Sequence, residues 1–208
     1  MIKRFNIQKI VQSFSVLQEE VKTTNYTKLL KLLFFADRYH IRHYGYLYTC
    51  DDYYALQRGP IGTQSKDILV KDSFYYDNIP NESKSYLDNS IEILDICNRQ
   101  IHESKRVFSK SEEKALEFSI SIFGKFDYKN LINLTHDYPE WKRYKKLFDN
   151  KLTTQENVVP EDYFKNIDIE DSPMVKLYLE NDPYKEDEEF LNLLKEDCLF
   201  SSHSLCYK

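Results

Sequence analysis

Four glycines and six prolines in 208 residues are too few turn formers for a sandwich or barrel of many short strands, so an all-β fold is not expected. Cysteine is as sparse. Cys50, Cys97, Cys198 and Cys206 stand apart with no CxxC pair, which argues against a disulfide framework and predicts free thiols in a reducing compartment. No stretch approaches the ~18 uninterrupted apolar residues of a spanning helix. The charged start, Met1 to Arg4, runs straight into an amphipathic pattern instead of an apolar signal stretch. A soluble, cytoplasmic protein with no membrane partner is therefore expected. A basic excess is missing too: the net charge is −5. The segment from Pro160 to Asp197 holds 13 acidic and 4 basic residues, leaving +4 for the rest. Direct DNA binding is not expected, because phosphate contacts need clustered Lys and Arg. The acidic segment reads first as a solvated helix face, and second as a surface for a basic partner.

What is present is apolar and aromatic: 41% hydrophobic residues, with 17 Tyr and 13 Phe, enough to build a core at this length. Ile7, Ile10, Val11, Phe14, Leu17 and Val21 recur at helical spacing. A second helix follows Thr23, Thr24 or Asn25 as cap and carries Leu29, Leu32, Leu33, Ala36 and His40 on one face, widened by Leu30 and Phe34. A helix apolar nearly all round belongs at the centre of a bundle, and Gly45 fits its left-handed C-terminal closure. Tyr46 to Thr49 and Tyr53 to Gln57, split by Asp51-Asp52, read as a β-hairpin that Gly59-Pro60 breaks. A helix then starts near Thr63, and Ser90 to Ile96 is a further strand. Ser109 and Glu112 form a capping box for a helix that stops at Gly124. Asp127 caps a short helix that His136 and Pro139 end. Ser172-Pro173 opens another helix, and a last acidic one spans about Glu186 to Asp197. The fold class is mainly α (α+β): a helical bundle with a small antiparallel β-hairpin or sheet inserted after the second helix. A domain over 1–150 and an acidic helical extension over 151–208 are expected.

The candidates for chemistry are weak. Asp37, His40 and His43 recur every three residues and are the strongest case for a metal-dependent hydrolase, with His136 as a further ligand, yet the zinc-protease helix pattern is absent. Cys198, His203 and Cys206 supply three ligands where a structural zinc wants four, and read as a tail with free thiols. Cys50 sits beside two aspartates, which oppose thiolate formation. Asp51-Asp52 falls where a turn is expected. The loop from Gly59 to Thr63 lacks the phosphate-loop spacing, and Pro60 lacks an amide. The run Trp141 to Lys146 mixes aromatics with cations but reads as a solvated helix face. No catalytic residue, metal or cofactor is assigned.

Read in order, Lys28-Leu29-Leu30-Lys31-Leu32-Leu33-Phe34-Phe35-Ala36-Asp37-Arg38, then Tyr44-Gly45, Asp52-Tyr53-Tyr54-Ala55-Leu56 and Arg58-Gly59-Pro60-Ile61, form a series that resembles the Panacea (SocA-like) antitoxin domain. That family's pattern runs K-L-x-K-L-L-Y-F-A-D, Y-G, D-x-Y-x-A and G-P-[VI]. Leu134-Thr135-His136 with Pro139 and Trp141 is similar to the family's L-[ST]-H-x-x-P-x-W. The resemblance implies a largely helical domain with a small β element. It further implies a bacterial antitoxin that binds and neutralises a toxin, usually the product of an adjacent gene, without performing a reaction. One family member is similar to a protease adaptor, so a protease complex, or a phage-associated role without a toxin, is the rival reading. Phe35, Ala36, Asp37, Arg38, Gly45, Ala55, Gly59, Pro60, His136, Pro139 and Trp141 are the expected scaffold, with Asp37 and Arg38 locking the helix to the hairpin. Tyr46, Tyr48, Tyr53, Tyr54 and Arg58 are the expected partner contacts, since Tyr and Arg are favoured interface anchors.

Overall fold

The computed structural model describes residues 5–167 and 188–200. Its first helix, α1 (Ile7–Val21), starts where the Asn6 side chain accepts the Lys9 amide at 3.1 Å, and ends at a left-handed Lys22. Its apolar stripe, Ile10, Val11, Phe14 and Leu17, is fully buried. In α2 (Tyr26–Tyr44), Asn25 is the cap among the three expected candidates, and Gly45 closes the helix at φ 77°. Every residue from Leu29 to Arg42 is buried, so α2 is the axis of the molecule and α1, α6 and α7 pack around it. Each buried Leu or Phe on it contributes on the order of 1.5–3 kcal/mol.

The capping box opens α6 (Lys110–Phe123) as expected, with Ser109 and Glu112 satisfying each other's amides. Ser119 donates to the Leu32 carbonyl at 2.7 Å, and Phe123 stacks on Phe35 at 3.8 Å, so α6 lies close along α2. Asp127 caps α7 (Tyr128–Thr135). Pro139 does not end a helix but begins one, α8 (Pro139–Lys142), because its missing N–H costs nothing in the first turn. A further short helix, α9 (Lys145–Asp149), divides the expected basic face into two pieces.

The hairpin differs from expectation in register. Strand β1 (Tyr53–Leu56) pairs with β2 (Gly59–Gly62), so Gly59-Pro60 is not a break but half of the second strand. Proline is tolerated there because β2 is an edge in the order β2-β1-β5, where its missing donor faces no neighbour. Gly59 takes φ 87° immediately after the turn at Gln57-Arg58. A side chain at that position would also meet Thr135 and Lys31. Tyr46 to Thr49 is not a strand at all. Its polar backbone is claimed by α2 side chains: His40 binds the Tyr46 carbonyl at 2.8 Å, and Asp37 accepts the Thr49 amide at 3.1 Å.

Helix α3 (Thr63–Val70) follows β2, and its cap residue, Gly62, offers no side chain. The Asp51 carboxylate substitutes for it, accepting the Gln64 and Ser65 amides at 3.0 and 2.9 Å. Asp51 is thus a buried helix cap and not a residue of a hairpin turn, and the Gly62 position is narrow because a Cβ there would strike that carboxylate. Two short helices, α4 (Ser73–Asn78) and α5 (Asn81–Ser90), lead into a second hairpin. Its strand β3 (Ile91–Ile93), shorter than the expected Ser90 to Ile96, pairs with β4 (Arg99–Ile101).

Val158, Tyr163, Phe164, Ile167 and Leu191, on the far side of position 150, belong to the same core. Strand β5 (Gln155–Asn157) pairs with β1. Helix α10 (Pro160–Tyr163) buries Tyr163 completely. Helix α11 (Glu188–Phe200) packs on α2 through the buried Leu191. The helix expected at Ser172-Pro173, and the His203 and Cys206 positions, lie outside the described residues.

Candidate functional site

Three polar clusters hang on α2, and together they account for most of the motif. The first surrounds Lys31, whose Nζ is fully buried and donates to the Pro60 carbonyl at 2.8 Å. Burial without a carboxylate partner pushes its pKa well below the ordinary lysine value. His136 stacks on Trp141 at 3.7 Å, and its buried Nε2 has no hydrogen-bond partner among the described residues. Burial, helped by the nearby Lys31, takes the imidazole down to about 4. The Trp141 indole N–H donates to the Leu56 carbonyl at 2.7 Å. Lys31, His136 and Trp141 therefore fasten α2, α7 and α8 to the first hairpin.

The second cluster centres on Asp37. It accepts from the Thr49 amide, the Thr49 hydroxyl and the Tyr53 hydroxyl, the last at 2.8 Å. Burial pushes its carboxyl up to about 7 against the pull of those bonds. Asp51, also buried, is pushed up to about 6 by the same cause. These bonds tie Asp37 on α2 to Thr49 and to Tyr53 of β1.

Arg38 does something else. It points to α8, where it pairs with Glu140 at 2.7 Å, donates to the Lys165 carbonyl at 2.8 Å and lies over the Tyr138 ring. One turn on, Arg42 donates to the Tyr163 carbonyl at 2.7 Å and to Asn166 at 2.7 Å. Two groups in this third cluster, Glu140 Oε2 and the Tyr163 hydroxyl, are buried without a hydrogen-bond partner among the described residues. Burial raises the Glu140 carboxyl in spite of Arg38.

The trio proposed for a metal does not assemble. Asp37 turns to Thr49 and Tyr53, the His40 ring lies between the Tyr46 carbonyl and Ser111 (3.1 Å), and His43 donates to the Tyr39 carbonyl at 2.8 Å. Among the described residues, no group of three His, Cys, Asp or Glu side chains is placed to hold a metal ion. Cys50 is buried in a left-handed turn, φ 54°, its thiol 3.6 Å from the Leu47 carbonyl.

The expected contact residues divide. Tyr48 and Tyr53 are corrected to core positions: Tyr48 donates to Ser13 at 3.2 Å and Tyr53 to Asp37. Alternation along β1 sends Tyr53 and Ala55 inward. Tyr46 and Tyr54 are half-buried and Arg58 is exposed. Scaffold residues Phe35, Ala36, Gly45, Ala55, Gly59 and Pro60 are all buried. Sequence reasoning missed Lys31, Arg42, Glu140 and Tyr163 as participants. The signal for Lys31 was available, a cation set between Leu30 and Leu32 in a helix that reads as apolar nearly all round. Glu140 and Tyr163 gave none, because their burial depends on contacts across 102 residues or more.

The molecule is a helical module whose polar motif side chains turn inward to brace a small sheet. The chain belongs to the SocA-like antitoxin family: the Panacea domain model matches residues 29–142, more than half of its length. No curated protein and no solved structure matches it. Among the described residues, no helix is long and apolar enough to cross a membrane.

Proposed function

We propose that this protein is the antitoxin of a bacterial toxin–antitoxin pair, and that it neutralises its toxin in the cytoplasm by direct binding, without catalysis. The observation that carries the reading is the inward commitment of the motif. Asp37, Arg38, His136 and Trp141 each engage groups of this chain's own fold. A motif spent on bracing the frame leaves recognition to the surface around it. Family membership supports the same conclusion.

Expression of the adjacent gene alone and together with this chain tests the proposal. Toxicity relieved by co-expression, with the two products co-purifying, is the expected outcome. A harmless neighbour, or toxicity that persists beside this chain, overturns it. Recovery of protease subunits without a small toxic partner would replace it with the adaptor role.

A further inference from the structure

Among the described residues, the largest concentration of exposed apolar side chains is not on the tyrosine hairpin but on the second one. Ile93, Leu94 and Ile96 are 47%, 50% and 87% exposed, three of the large exposed hydrophobics within four positions. Of the others, Phe74, Val107 and Leu152 stand singly on separate segments, and Phe190 and Leu193 are a pair on α11. Isolated exposed apolar residues need no explanation, whereas a cluster does.

The hairpin that carries them is held firmly at its base. Gln18 behaves as a third strand beside β4, donating to the Arg99 carbonyl at 2.7 Å and accepting the Ile101 amide at 2.9 Å. The Arg99 amide donates to the Thr24 carbonyl, and the Tyr26 amide to the Cys97 carbonyl, at 2.8 and 3.0 Å. The buried Arg99 guanidinium binds the carbonyls of Leu69, Asp95 and Asn98. The Asp95 carboxylate gathers the Cys97 and Asn98 amides within the turn. With its backbone fixed in this way, the tip presents apolar side chains whose ordering on binding has largely been done in advance.

The surroundings are acidic. No Lys, Arg or His lies between Ser85 and Asn98. Glu92 and Asp95 are exposed at the tip, with His102 3.0 Å from Glu92, while Asp88 is paired with Lys71. Hydrogen bonds from Asn98 hold the Asp95 carboxyl below its ordinary value, so it is charged. Gln100, cross-strand from Glu92, leads into a cleft of about 390 Å³ lined also by Thr24, Glu19, Glu103 and Lys22. Two carboxylates face that cleft for one lysine, and Arg106 lies against Glu19.

We propose that the tip of the β3–β4 hairpin, with its acidic rim and the adjoining polar cleft, is the docking surface for the partner protein. The segment it takes is an apolar anchor flanked by arginine or lysine. A second copy of this chain fits poorly, because a twofold contact would set Glu92 and Asp95 against their own duplicates. The proposal rests on the antitoxin reading for the existence of the partner, and is separable from it by experiment.

The full-length chain is titrated against the product of the adjacent gene, with variants at the two hairpins. The double variant Leu94→Asp, Ile96→Asp should melt like wild type and weaken the complex by about a hundredfold, as loss of central apolar anchors does. Glu92→Lys should slow association and reduce its salt dependence. Tyr54→Ala with Arg58→Ala should bind almost normally. If the Leu94/Ile96 variant binds like wild type while the Tyr54/Arg58 variant does not, the docking surface is wrong and the antitoxin reading stands. If wild type itself forms no complex, both fall. If light scattering shows a dimer that the Leu94/Ile96 variant dissolves, the surface belongs to a second copy and the proposal is overturned.

Discussion

Lys31 is the residue whose chemistry most opposes its surroundings. A fully buried ammonium with one carbonyl acceptor is disfavoured, and its pKa stands well below the ordinary 10.5. Because the folded value is depressed, protonation opposes folding at neutral pH, and stability from this group increases as pH climbs towards 10.5. Lys31→Met fills the same space without a charge. It should raise the melting temperature at pH 7, by the equivalent of about 1–3 kcal/mol, with the gain shrinking above pH 10. A lower melting temperature would mean that the bond to Pro60 outweighs desolvation. The buried carboxylates run the other way. Asp37 and Asp51, raised from 3.8 to about 7 and about 6, contribute stability that is full below about pH 4 and lost as pH rises to 7. Thermal melts of wild type should therefore fall in temperature from pH 5 to pH 8, and Asp37→Asn should flatten that slope. Asp37→Ala, by contrast, leaves the Thr49 amide and the Tyr53 hydroxyl without their acceptor and should cost roughly 1.5–3 kcal/mol. Tyr53→Ala, a buried ring and donor, should destabilise as well.

At the scale of elements, caps decide where helices begin, and α3 has the unusual one. Its cap residue is a glycine, and the acceptor arrives from Asp51, outside the helix. Asp51→Ala and Gly62→Ala should each lower stability by about 1–2 kcal/mol. The double variant should lose less than the sum, since both remove one contact. Additive losses in chemical denaturation would separate the two positions. The same comparison explains what the sequence could show. Local signals were legible: Asn25 and Gly45 around α2, Ser109 with Glu112 before α6, Asp127 before α7. Each is an interaction within a few residues of its helix end. The hairpin was legible as a region but not in register. Tyr46 to Thr49 has strand-like composition, yet Asp37 and His40 take its backbone groups, and that competition is visible only once α2 lies beside it. The candidate site was misjudged for a related reason. Tyr48 and Tyr53 were assigned outward from composition, whereas strand alternation and buried acceptors turn them in.

For the whole molecule, the decisive contacts cross position 150. β5 pairs with β1 and covers an edge that would otherwise be open. Tyr163 buries completely against the hairpin, 6.3 Å from the Tyr53 ring. Arg38 and Arg42, both on α2, donate to carbonyls of Lys165 and Tyr163. The acidic composition after Pro160 masked this, because a segment that is charged on average can still place two or three side chains in the core. Asp162 shows how the charge is tolerated: it is buried, yet Arg143 and Lys165 both bind it, at 2.6 Å. Removing everything after residue 150 would take the Lys165 carbonyl from Arg38, which keeps Glu140, take the Tyr163 and Asn166 acceptors from Arg42, and leave an apolar cavity where Tyr163 stood. Losses of that kind run to roughly 3–5 kcal/mol each, comparable with the entire stability of many domains. A chain ending at Asn150 should therefore fail to unfold cooperatively, whereas one ending at Ile167 should keep a sharp transition at somewhat lower temperature, having lost the Leu191 contact of α11. Circular dichroism melts of the two chains decide the matter. A sharp, near wild-type transition from the shorter chain would show that residues 155–167 decorate the frame instead of completing it.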